Sequence, residues 1–389
     1  MIAMVPVDPT FITEILRGLV GINSVNPSLM RGAPGEGRIA AYTARVLRDL
    51  GLQVFEYEPE RGRVSIVGRL HGGSGGRSLM LNGHYDTVGI DGMPEPFSGA
   101  IRDGKLFGRG AYDMKGGLAA CIGAVKALVD ARVALAGDLL IAAVADEEVA
   151  SIGTQDVLKH WHVDGTIVTE PTALSICLAH KGFVWVEIAT RGRAAHGSKP
   201  ELGIDANLQM ATVLQRLSAL EHRLGACPPH PLVGRPSVHA ATLHGGTGWS
   251  TYAASCRLQV ERRTLPGELE ATVLAELAEL AAPVGSDDHQ PPTLTHVLTR
   301  APFEADRQSA VVRAVDVAVR RVLADPPQYI GETPWMDAAF FAAAGVDTIV
   351  VGPAGGGAHS AEEWVDVDSV MRLAAVLSSA AMEYCGTVP

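Results

Sequence analysis

Apolar residues recur along the chain with two spacings, and each spacing predicts one kind of element. Several segments repeat them about every 3.6 positions, as amphipathic helices do. The predicted helices are 9–20, 36–50, 116–129, 207–220, 268–280, 309–323 and 367–382. Short apolar or alternating runs predict strands at 64–70, 78–83, 138–144, 166–169, 182–190 and 348–351. Because these strands alternate with helices, the pattern favours an α/β fold with a mixed or parallel central sheet.

The pattern changes between residues 180 and 300. The segments KGFVWVEIATRGR and WSTYAASCRLQVERRT alternate apolar and polar residues, as strands with one buried and one exposed face do. Helical segments follow each of them. We therefore expect a smaller α+β domain at 180–300, inserted into a larger α/β domain that is formed by 1–179 and 301–389.

The composition of the chain argues against some classes of binding partner. A chain of 389 residues is long enough for two domains, and its net charge of −11 argues against nucleic acid, which favours a basic surface. The sequence has no apolar run of the roughly 18 residues that a membrane span needs, and its N-terminus has no signal-peptide pattern. We therefore expect a cytoplasmic protein without a membrane partner. The five cysteines are scattered and odd in number, which favours free thiols.

Charged side chains collect where the predicted strands end. The segment AVADEE places Asp146, Glu147 and Glu148 side by side directly after an apolar strand, where like charges repel one another. Other strand ends and glycine-rich loops carry further carboxylates and imidazoles: His84, Asp86, Asp113, Glu170 and His359. In open α/β sheets, ligands gather at the carboxyl ends of the strands. Divalent cations bound there would relieve the repulsion.

The residue types favour zinc. Imidazole and carboxylate are common ligands of Zn²⁺ and neighbouring transition metals, and scattered cysteines argue against a thiolate site. One aspartate can bridge two metals with its two oxygens, with one histidine and one glutamate on each metal. In such pairs the metals lie about 3.5–4 Å apart and share a water nucleophile. Taken alone, each residue also fits a structural role, such as a helix N-cap for Asp113, and only the combination points to a metal pair.

Five motifs, in this order along the chain, resemble those of a known enzyme family: GHYDTV, GRGAYDMKGG, ADEE, TEPT and AHSAEEWV. The family is that of the co-catalytic zinc amidohydrolases and metallopeptidases, which includes acetylornithine deacetylase, succinyl-diaminopimelate desuccinylase, aminoacylase and glutamate carboxypeptidase. The resemblance spans nearly the whole chain. It implies a zinc-peptidase-like catalytic domain, in which helices flank a mixed central sheet, and an inserted lid domain that often forms a homodimer.

The resemblance also implies a role for each residue of these motifs. The implied ligands of two Zn²⁺ ions, with Co²⁺ or Mn²⁺ as alternatives, are His84, Asp113, Glu148, Glu170 and His359. Asp113 would bridge the two ions, Asp86 matches a carboxylate that orients the imidazole of His84, and Glu147 matches the general base. Glu147 would take a proton from the water that the metals share and return it to the leaving amine.

Two motifs of the expected lid domain resemble substrate-binding motifs of the family. GRAAHGSKP aligns His196 with a histidine that donates to the oxyanion, and that reaches the site from the partner subunit in dimeric members. ERRTLPGE aligns Arg263 with an arginine that binds the substrate α-carboxylate. Ser250 stands where many members have an asparagine that helps to hold this carboxylate. Ala253 and Ala254 stand where Pro-Asp is common, so substrate recognition departs from the usual pattern here.

The sequence therefore favours a metal-dependent amide hydrolase that removes an acyl group from an N-acyl amino acid, most like acetylornithine deacetylase. A succinyl-diaminopimelate desuccinylase, a general aminoacylase and a small-peptide carboxypeptidase stay open, because they use the same bond chemistry. A non-catalytic binding protein on the same fold is the alternative from another class. It predicts missing ligands or a missing base, whereas the sequence contains all of them.

Overall fold

The computed structural model describes residues 4–73, 75–283 and 290–388, and within them the chain forms two compact units. The first unit consists of the described residues of Met1–Leu178, Ala305–Ile330 and Met336–Pro389. The second unit consists of the described residues of Ala179–Glu304 and of Gly331–Trp335. Each unit has a hydrophobic core of its own.

Helices and strands alternate along the described residues. The helices are α1 (Pro9–Val20), α2 (Gly37–Asp49), α3 (Gly116–Asp130), α4 (Ile152–His160), α5 (Ala206–Ala226), α6 (Glu270–Ala278), α7 (Ala310–Leu323), α8 (Ala338–Ala343) and α9 (Val367–Cys385). The strands are β1 (Gln53–Glu60), β2 (Arg63–Leu70), β3 (Leu79–His84), β4 (Ala100–Arg102), β5 (Lys105–Phe107), β6 (Leu139–Val144), β7 (Gly165–Val168), β8 (Ile176–His180), β9 (Gly182–Arg191), β10 (Ser237–Gly245), β11 (Ser255–Thr264), β12 (Thr293–Arg300), β13 (Phe303–Glu304), β14 (Tyr329–Glu332), β15 (Asp347–Val350), β16 (Gly355–Gly356) and β17 (Trp364–Asp366). An irregular turn, Ala111–Lys115, precedes α3, and a 3₁₀ turn, Glu279–Ala281, follows α6.

The first unit is built on a mixed sheet with the strand order β1-β2-β6-β3-β7-β15-β8. β3, β6, β7 and β15 run parallel, whereas β2 pairs antiparallel with both β1 and β6. Every residue of β3, β6 and β7 is buried, as expected for strands that are covered on both faces. Helices α3 and α9 contact β3, and α4 contacts β6. The predicted α/β class, with a mixed central sheet flanked by helices, is confirmed.

The second unit contains an antiparallel sheet with the order β10-β11-β9-β12. Residues of β9 and β11 are buried at every second position, which gives the sheet one apolar face. Helices α5 and α6 pack on this face. The core between them includes Val186, Ile188, Leu217, Leu258 and Leu277.

Local sequence signals set the helix boundaries, whereas the apolar pattern does not predict the strands at the edges of the sheets. α1 begins after Asp8, whose carboxylate accepts the backbone N–H of Phe11 at 3.1 Å, and Pro9 occupies its first position. Helix α5 runs on to Ala226 rather than ending at residue 220. The apolar pattern missed β1, β10 and β12, because each lies at the edge of its sheet and exposes many residues. It also missed α4 and α8, which have only 9 and 6 residues.

The longest helices serve as packing elements within their units. α5 has 21 residues and α9 has 19. α9 packs against α3 and α7, and α5 packs against β10 and β11. Over the described part of the chain, none of the helices is both long and apolar enough to cross a bilayer.

Candidate metal centre

Parallel strands of the first unit bring side chains from distant parts of the chain to one edge of the sheet. His84 is the last residue of β3, which pairs in parallel with β6 at Val144. Glu147 and Glu148 follow the end of β6, and Glu170 follows the end of β7. Because parallel strands end at the same edge, these four charged or imidazole side chains share that edge.

Two glycine-rich loops add the remaining members. Asp113 lies in the irregular turn before α3, and its peptide bond to Met114 is cis. Gly110 enters this turn with φ +79°, and a Cβ at this position would lie 2.7 Å from the side chain of Thr87. Only glycine fits both requirements. His359 lies in the turn between β16 and β17 and has φ +60°.

The side chains form two halves that share Asp113. Oδ1 of Asp113 lies 3.1 Å from Nε2 of His84, and Oδ2 lies 3.4 Å from Nε2 of His359. Oε1 of Glu170 lies 3.4 Å from the same nitrogen of His84. Oε2 of Glu148 lies 3.1 Å from the same nitrogen of His359. Each half therefore contains one imidazole, one glutamate and one oxygen of Asp113.

Glu147 lies beside the first half. Its Oε2 is 3.9 Å from Nε2 of His84. Among the described residues, two groups bring their ligand atoms within 4.8 Å of one another: His84 with Asp113 and Glu148, and His84 with Glu147 and Glu170. Geometry alone therefore permits Glu147 to be a ligand as well as a base.

Both imidazoles lie in a strongly negative environment. Burial alone would lower the pKa of His84, but the carboxylates of Glu170 and Asp113 outweigh burial and hold this pKa well above its usual value. Hydrogen bonds with Asp113 and Glu148 raise the pKa of His359 to about 10. The site thus attracts positive charge at both ring nitrogens, and a bound cation would supply that charge in place of a proton.

The pKa values of the carboxylates in the centre are shifted in different directions. Burial raises the pKa of Glu170 to about 7 against the attraction of His84, and it raises the pKa of Glu147 well above the usual range. Burial alone would also raise the pKa of Asp113, but hydrogen bonds with His359 and His84 hold it well below its usual range. Asp113 therefore stays ionised most readily, which is the property needed in a residue that two cations would share.

The donor set fits a pair of divalent transition-metal ions. Imidazole nitrogen and carboxylate oxygen are typical ligands of Zn²⁺ and its neighbours. Each half presents one ring nitrogen and oxygens from two carboxylates. Catalytic zinc sites commonly have three protein ligands and keep one position open for water or substrate.

Asp86 contacts both the imidazole of His84 and the turn that carries Glu147 and Glu148. Nδ1 of His84 lies 3.0 Å from the backbone oxygen of Asp86 and 3.6 Å from its carboxylate. The carboxylate accepts the backbone N–H groups of Glu147 at 3.0 Å and of Glu148 at 3.3 Å. Asp86 thus holds the ring mainly through its backbone oxygen, while its carboxylate holds the turn that carries both glutamates.

A buried arginine relieves part of the crowding in AVADEE. Asp146 has φ +71°, and its carboxylate lies 2.6 Å from Nη2 of Arg63. Arg63 also lies 2.7 Å from Glu36, and all three side chains are at most 6% exposed. Nδ2 of Asn26 donates to Asp146 at 3.0 Å and to Asp86 at 2.8 Å. Asp146 therefore pairs with a cation of the protein itself, and only the two glutamates after it face the centre.

The sequence patterns did not reveal Arg63, Glu36 and Asn26 as parts of this network. Each is a polar residue in a loop or at the start of an element, where polar side chains are usually solvated. The available signal was Arg63, which begins an otherwise largely apolar strand. A buried charge in such a strand needs a partner.

In the second unit, His196 and Ser250 lie close together. His196 forms an isolated β-bridge with Thr251, and the backbone oxygen of Ser250 accepts the N–H of Gly197 at 2.8 Å. Nδ1 of His196 lies 2.8 Å from Oγ of Ser198, which orients the ring. The side chain of His196 is exposed and therefore accessible to a ligand.

Arg263 lies at the opposite end of the strand pair β9–β11. Its Nε donates to Glu261 at 2.8 Å, and its guanidinium lies 5.3 Å from the ring centre of Phe183. Phe183 stands opposite Arg263 near the start of β9, and Arg191 ends the strand. The eight residue steps from 183 to 191, at about 3.3 Å each, span roughly 26 Å. Because His196 lies beyond Arg191, one chain cannot place both His196 and Arg263 on one small substrate.

The fold and the centre together define a class of protein. A mixed α/β sheet with imidazoles and carboxylates in two halves at the carboxyl ends of its parallel strands is typical of a two-metal hydrolase. Residues 80–383 match peptidase family M20/M25/M40, and the chain belongs to this family. The resemblance to amidohydrolases and metallopeptidases is thereby confirmed, and the chain is an enzyme of this type.

Relatives in sequence cover most of the chain. An acetylornithine deacetylase from Vibrio campbellii is 27% identical over 97% of this chain and 99% of its own. An acetylornithine deacetylase from Proteus mirabilis is 29% identical over 92% of this chain and 92% of its own. The N-formyl-4-amino-5-aminomethyl-2-methylpyrimidine deformylase of Bacillus subtilis is 29% identical over 64% of this chain and 63% of its own.

Solved structures share the fold. Aminopeptidase PepT from Bacillus cereus superposes with a TM-score of 0.79 at 18% identity, covering 97% of this chain and 99% of its own. A dinuclear metal-binding peptidase of family M20 from Bacillus subtilis superposes with a TM-score of 0.73 at 16% identity, covering 98% of this chain and 99% of its own. At these identities the similarity shows the common fold.

Proposed function

We propose that the protein is a two-metal amide hydrolase that removes the acyl group from an N-acyl amino acid, as acetylornithine deacetylases do. The observation that carries the proposal is the division of the centre at Asp113. Each oxygen of its carboxylate faces one imidazole, and one glutamate completes each half. The similarity to acetylornithine deacetylases over nearly the full chain supports the substrate class.

The proposed ligands are taken from the two halves. His84, Glu170 and Oδ1 of Asp113 would hold one ion, and His359, Glu148 and Oδ2 of Asp113 would hold the other. Zn²⁺ suits this mixture of imidazole and carboxylate, and Co²⁺ and Mn²⁺ are the alternatives that accept the same donors. When bound, the two ions would polarise the acyl carbonyl and lower the pKa of water at the site.

Glu147 carries the proton in this mechanism. The water oxygen bonds to the acyl carbon, and the proton of this water passes to the carboxylate of Glu147. The C–N bond then breaks as Glu147 returns the proton to the amine nitrogen. Burial raises the pKa of Glu147, which suits a group that must both accept and donate a proton. The hydrogen bond from its N–H to Asp86 fixes the backbone from which the carboxylate extends.

Arg263 binds the α-carboxylate of the substrate. Glu261 holds its Nε, and the ring of Phe183 supports the plane of its guanidinium. Within the residues that the structure describes, the hydrogen bond and ion pair of this side chain are made by Nε, with Glu261, and not by its two Nη atoms. That edge of the guanidinium can therefore pair with a carboxylate through two hydrogen bonds.

His196 stabilises the developing oxyanion from a second copy of the chain. It lies too far from Arg263 for both to reach one substrate within one chain, whereas a symmetric dimer can supply one of them from each subunit. β10 is an edge strand in which all residues but one are exposed, and such edges readily pair with another chain. Leu243 on this strand and Trp249 after it are large apolar residues that are exposed. These features support a homodimer formed through the second unit.

Ser250 stands where many family members have an asparagine, and the exact substrate therefore stays open. In our assignment its hydroxyl reaches the substrate carboxylate from the second copy of the chain, together with His196, where relatives use a longer carboxamide. Because a hydroxyl donates only one hydrogen bond over a shorter reach, we expect a weaker hold on the α-carboxylate. A desuccinylase, a general aminoacylase and a small-peptide carboxypeptidase need the same centre. The Bacillus subtilis relative is, by its name, a deformylase of a pyrimidine amide.

A substrate panel tests the proposal. Apoenzyme reconstituted with Zn²⁺, Co²⁺ or Mn²⁺ is assayed with N-acetylornithine, N-succinyl-diaminopimelate, other N-acyl amino acids, dipeptides and an N-formyl aminomethylpyrimidine. We expect release of the free amine from an N-acyl amino acid, lost on chelation and restored by metal. Glu147→Gln is the inactive control. Cleavage of dipeptides alone would move the protein to the peptidases, and failure to cleave any amide while binding two metals would refute the proposal.

A further inference from the structure

We propose that the buried pair Arg109–Glu363 is a clamp that positions the second half of the centre, formed by Asp113, Glu148 and His359. The inference rests on the proposed function, because it concerns ligands of the proposed metal pair. Arg109 and Glu363 are positioning residues, since they act on these ligands through backbone groups next to them. The clamp joins two loops that lie far apart in the sequence.

Glu363 binds the turn that carries Asp113. Its Oε1 accepts the backbone N–H groups of Tyr112 at 2.9 Å and of Asp113 at 3.0 Å, and its Oε2 accepts the N–H of Gly110 at 3.0 Å. Asp113 and Met114 have φ and ψ angles outside the helical region, although the N–H of Lys115 donates to the backbone oxygen of Gly110 at 2.8 Å. The carboxylate of Glu363 adds acceptors for three further backbone N–H groups of the turn.

Arg109 connects the same carboxylate with the loop of His359. Its Nη1 lies 2.6 Å from Oε2 of Glu363, and its Nη2 donates to the backbone oxygen of Ser360 at 2.9 Å. Its Nε donates to the backbone oxygen of Gly89 at 2.9 Å. Arg109 is 3% exposed and Glu363 is 1% exposed. A buried, charge-assisted pair with this many hydrogen bonds holds its partners in one geometry.

The second half depends on such a device more than the first. His84 ends a buried strand, is 1% exposed and has its Nδ1 fixed by a backbone oxygen. His359 lies in a loop with φ +60°, and its side chain is 55% exposed. Because Ser360 is the next residue, the hydrogen bond from Arg109 fixes the chain directly beside His359. Loss of the clamp should therefore weaken the ion at His359 more than the ion at His84, because the half of His84 shares only Asp113 with the clamp.

The test measures metal binding directly. Apoprotein of the wild type, of Glu363→Gln and of Arg109→Met is titrated with Zn²⁺ against a competing chelator, and the bound metal is counted. Glu362→Gln is the matched control, because it makes the same change at the adjacent, exposed residue. A glutamine keeps the size of Glu363 but accepts at only one of the two positions, so it loses the contacts that one of the two carboxylate oxygens makes.

The expected result is a selective one. In both clamp variants the second Zn²⁺ should bind about 10–100-fold more weakly. The first Zn²⁺ should lose clearly less affinity, and the Glu362→Gln control should match the wild type. A general loss of structure would instead weaken both ions and lower the thermal midpoint of the apoprotein, which circular dichroism records. If Glu363→Gln does not fold, Arg109→Lys carries the test, since it keeps the charge but not the planar fork.

Two outcomes would overturn the clamp. If folded clamp variants bind both ions as the wild type does, or lose affinity equally for both, then Arg109 and Glu363 do not position the second half, and the proposed function stands. If the wild type itself binds fewer than two ions, the proposed two-metal centre fails and the clamp fails with it. The metal count of the wild type therefore separates the two failures.

Discussion

Replacing Arg63 by methionine should destabilise the first unit strongly. Arg63 lies 2.7 Å from Glu36 and 2.6 Å from Asp146, and the three side chains are at most 6% exposed. Methionine retains much of the apolar stem but leaves two buried carboxylates without their cation. Removing one partner of a buried ion pair costs about 3–5 kcal/mol, because the remaining charge is neither hydrated nor paired. We expect a loss of this size in the free energy of unfolding.

Arg48 provides a matched control for this prediction. Its Nη2 lies 2.6 Å from Glu56, the same distance as in the pair of Arg63 with Asp146, but the two side chains are 54% and 52% exposed. Exposed pairs contribute about 0–1 kcal/mol. The difference between Arg63→Met and Arg48→Met should therefore be roughly 2–5 kcal/mol.

Urea unfolding of the wild type and both variants gives the measurement. Far-ultraviolet circular dichroism and tryptophan fluorescence should be followed together at one pH and one metal concentration, so that coincident transitions justify a two-state treatment. The expected result is a large fall in the midpoint for Arg63→Met and a small one for Arg48→Met. Equal losses in the two variants would refute the reasoning, because burial and not distance is what distinguishes the two pairs.

Three further predictions concern the base, the assembly and the pH dependence of stability. Glu147→Gln should abolish turnover at the metal content of the wild type, whereas Glu148→Gln should lose metal; a metal-poor Glu147→Gln in elemental analysis would make Glu147 a ligand. Mixing inactive Glu147→Gln and His196→Ala chains should restore about a quarter of wild-type activity, because about half of the dimers are mixed and each has one complete site; no recovery after mixing would argue against a partner-supplied His196. Burial raises the pKa of Glu36 from 4.5 to about 7. Between these two pH values the folded state binds more protons than the unfolded state, so the free energy of unfolding falls as the pH rises. Glu36→Gln should reduce the fall of the urea midpoint between about pH 4.5 and 7. A pH dependence equal to that of the wild type would contradict the assignment.

The elements that carry the centre could be predicted from local patterns. The apolar runs at β3, β6 and β7 are buried on both faces, and α1 begins at Pro9 as its sequence indicates. Edge strands such as β10 could not be found in this way, because one partner strand and an exposed face leave little apolar signal. The sequence motifs also contained the candidate donors, from His84 to His359.

The pairing of the donors could not be predicted. Which imidazole faces which glutamate depends on the order β6-β3-β7-β15, which differs from the order of these strands in the sequence. Two buried ion pairs could not be predicted for the same reason, because their partners lie far apart in the sequence. Arg63 lies 83 residues from Asp146, and Arg109 lies 254 residues from Glu363.

The sequence by itself determined the types of donor, their order along the chain and the short elements that carry them, because these depend on residue chemistry and on near neighbours. Only the tertiary structure decided that Asp113 lies between two imidazoles, that Arg63 neutralises Asp146, and that His196 and Arg263 lie at opposite ends of one strand pair. Those relations depend on strand order and on burial. Both are set when the whole chain covers the two faces of its sheets.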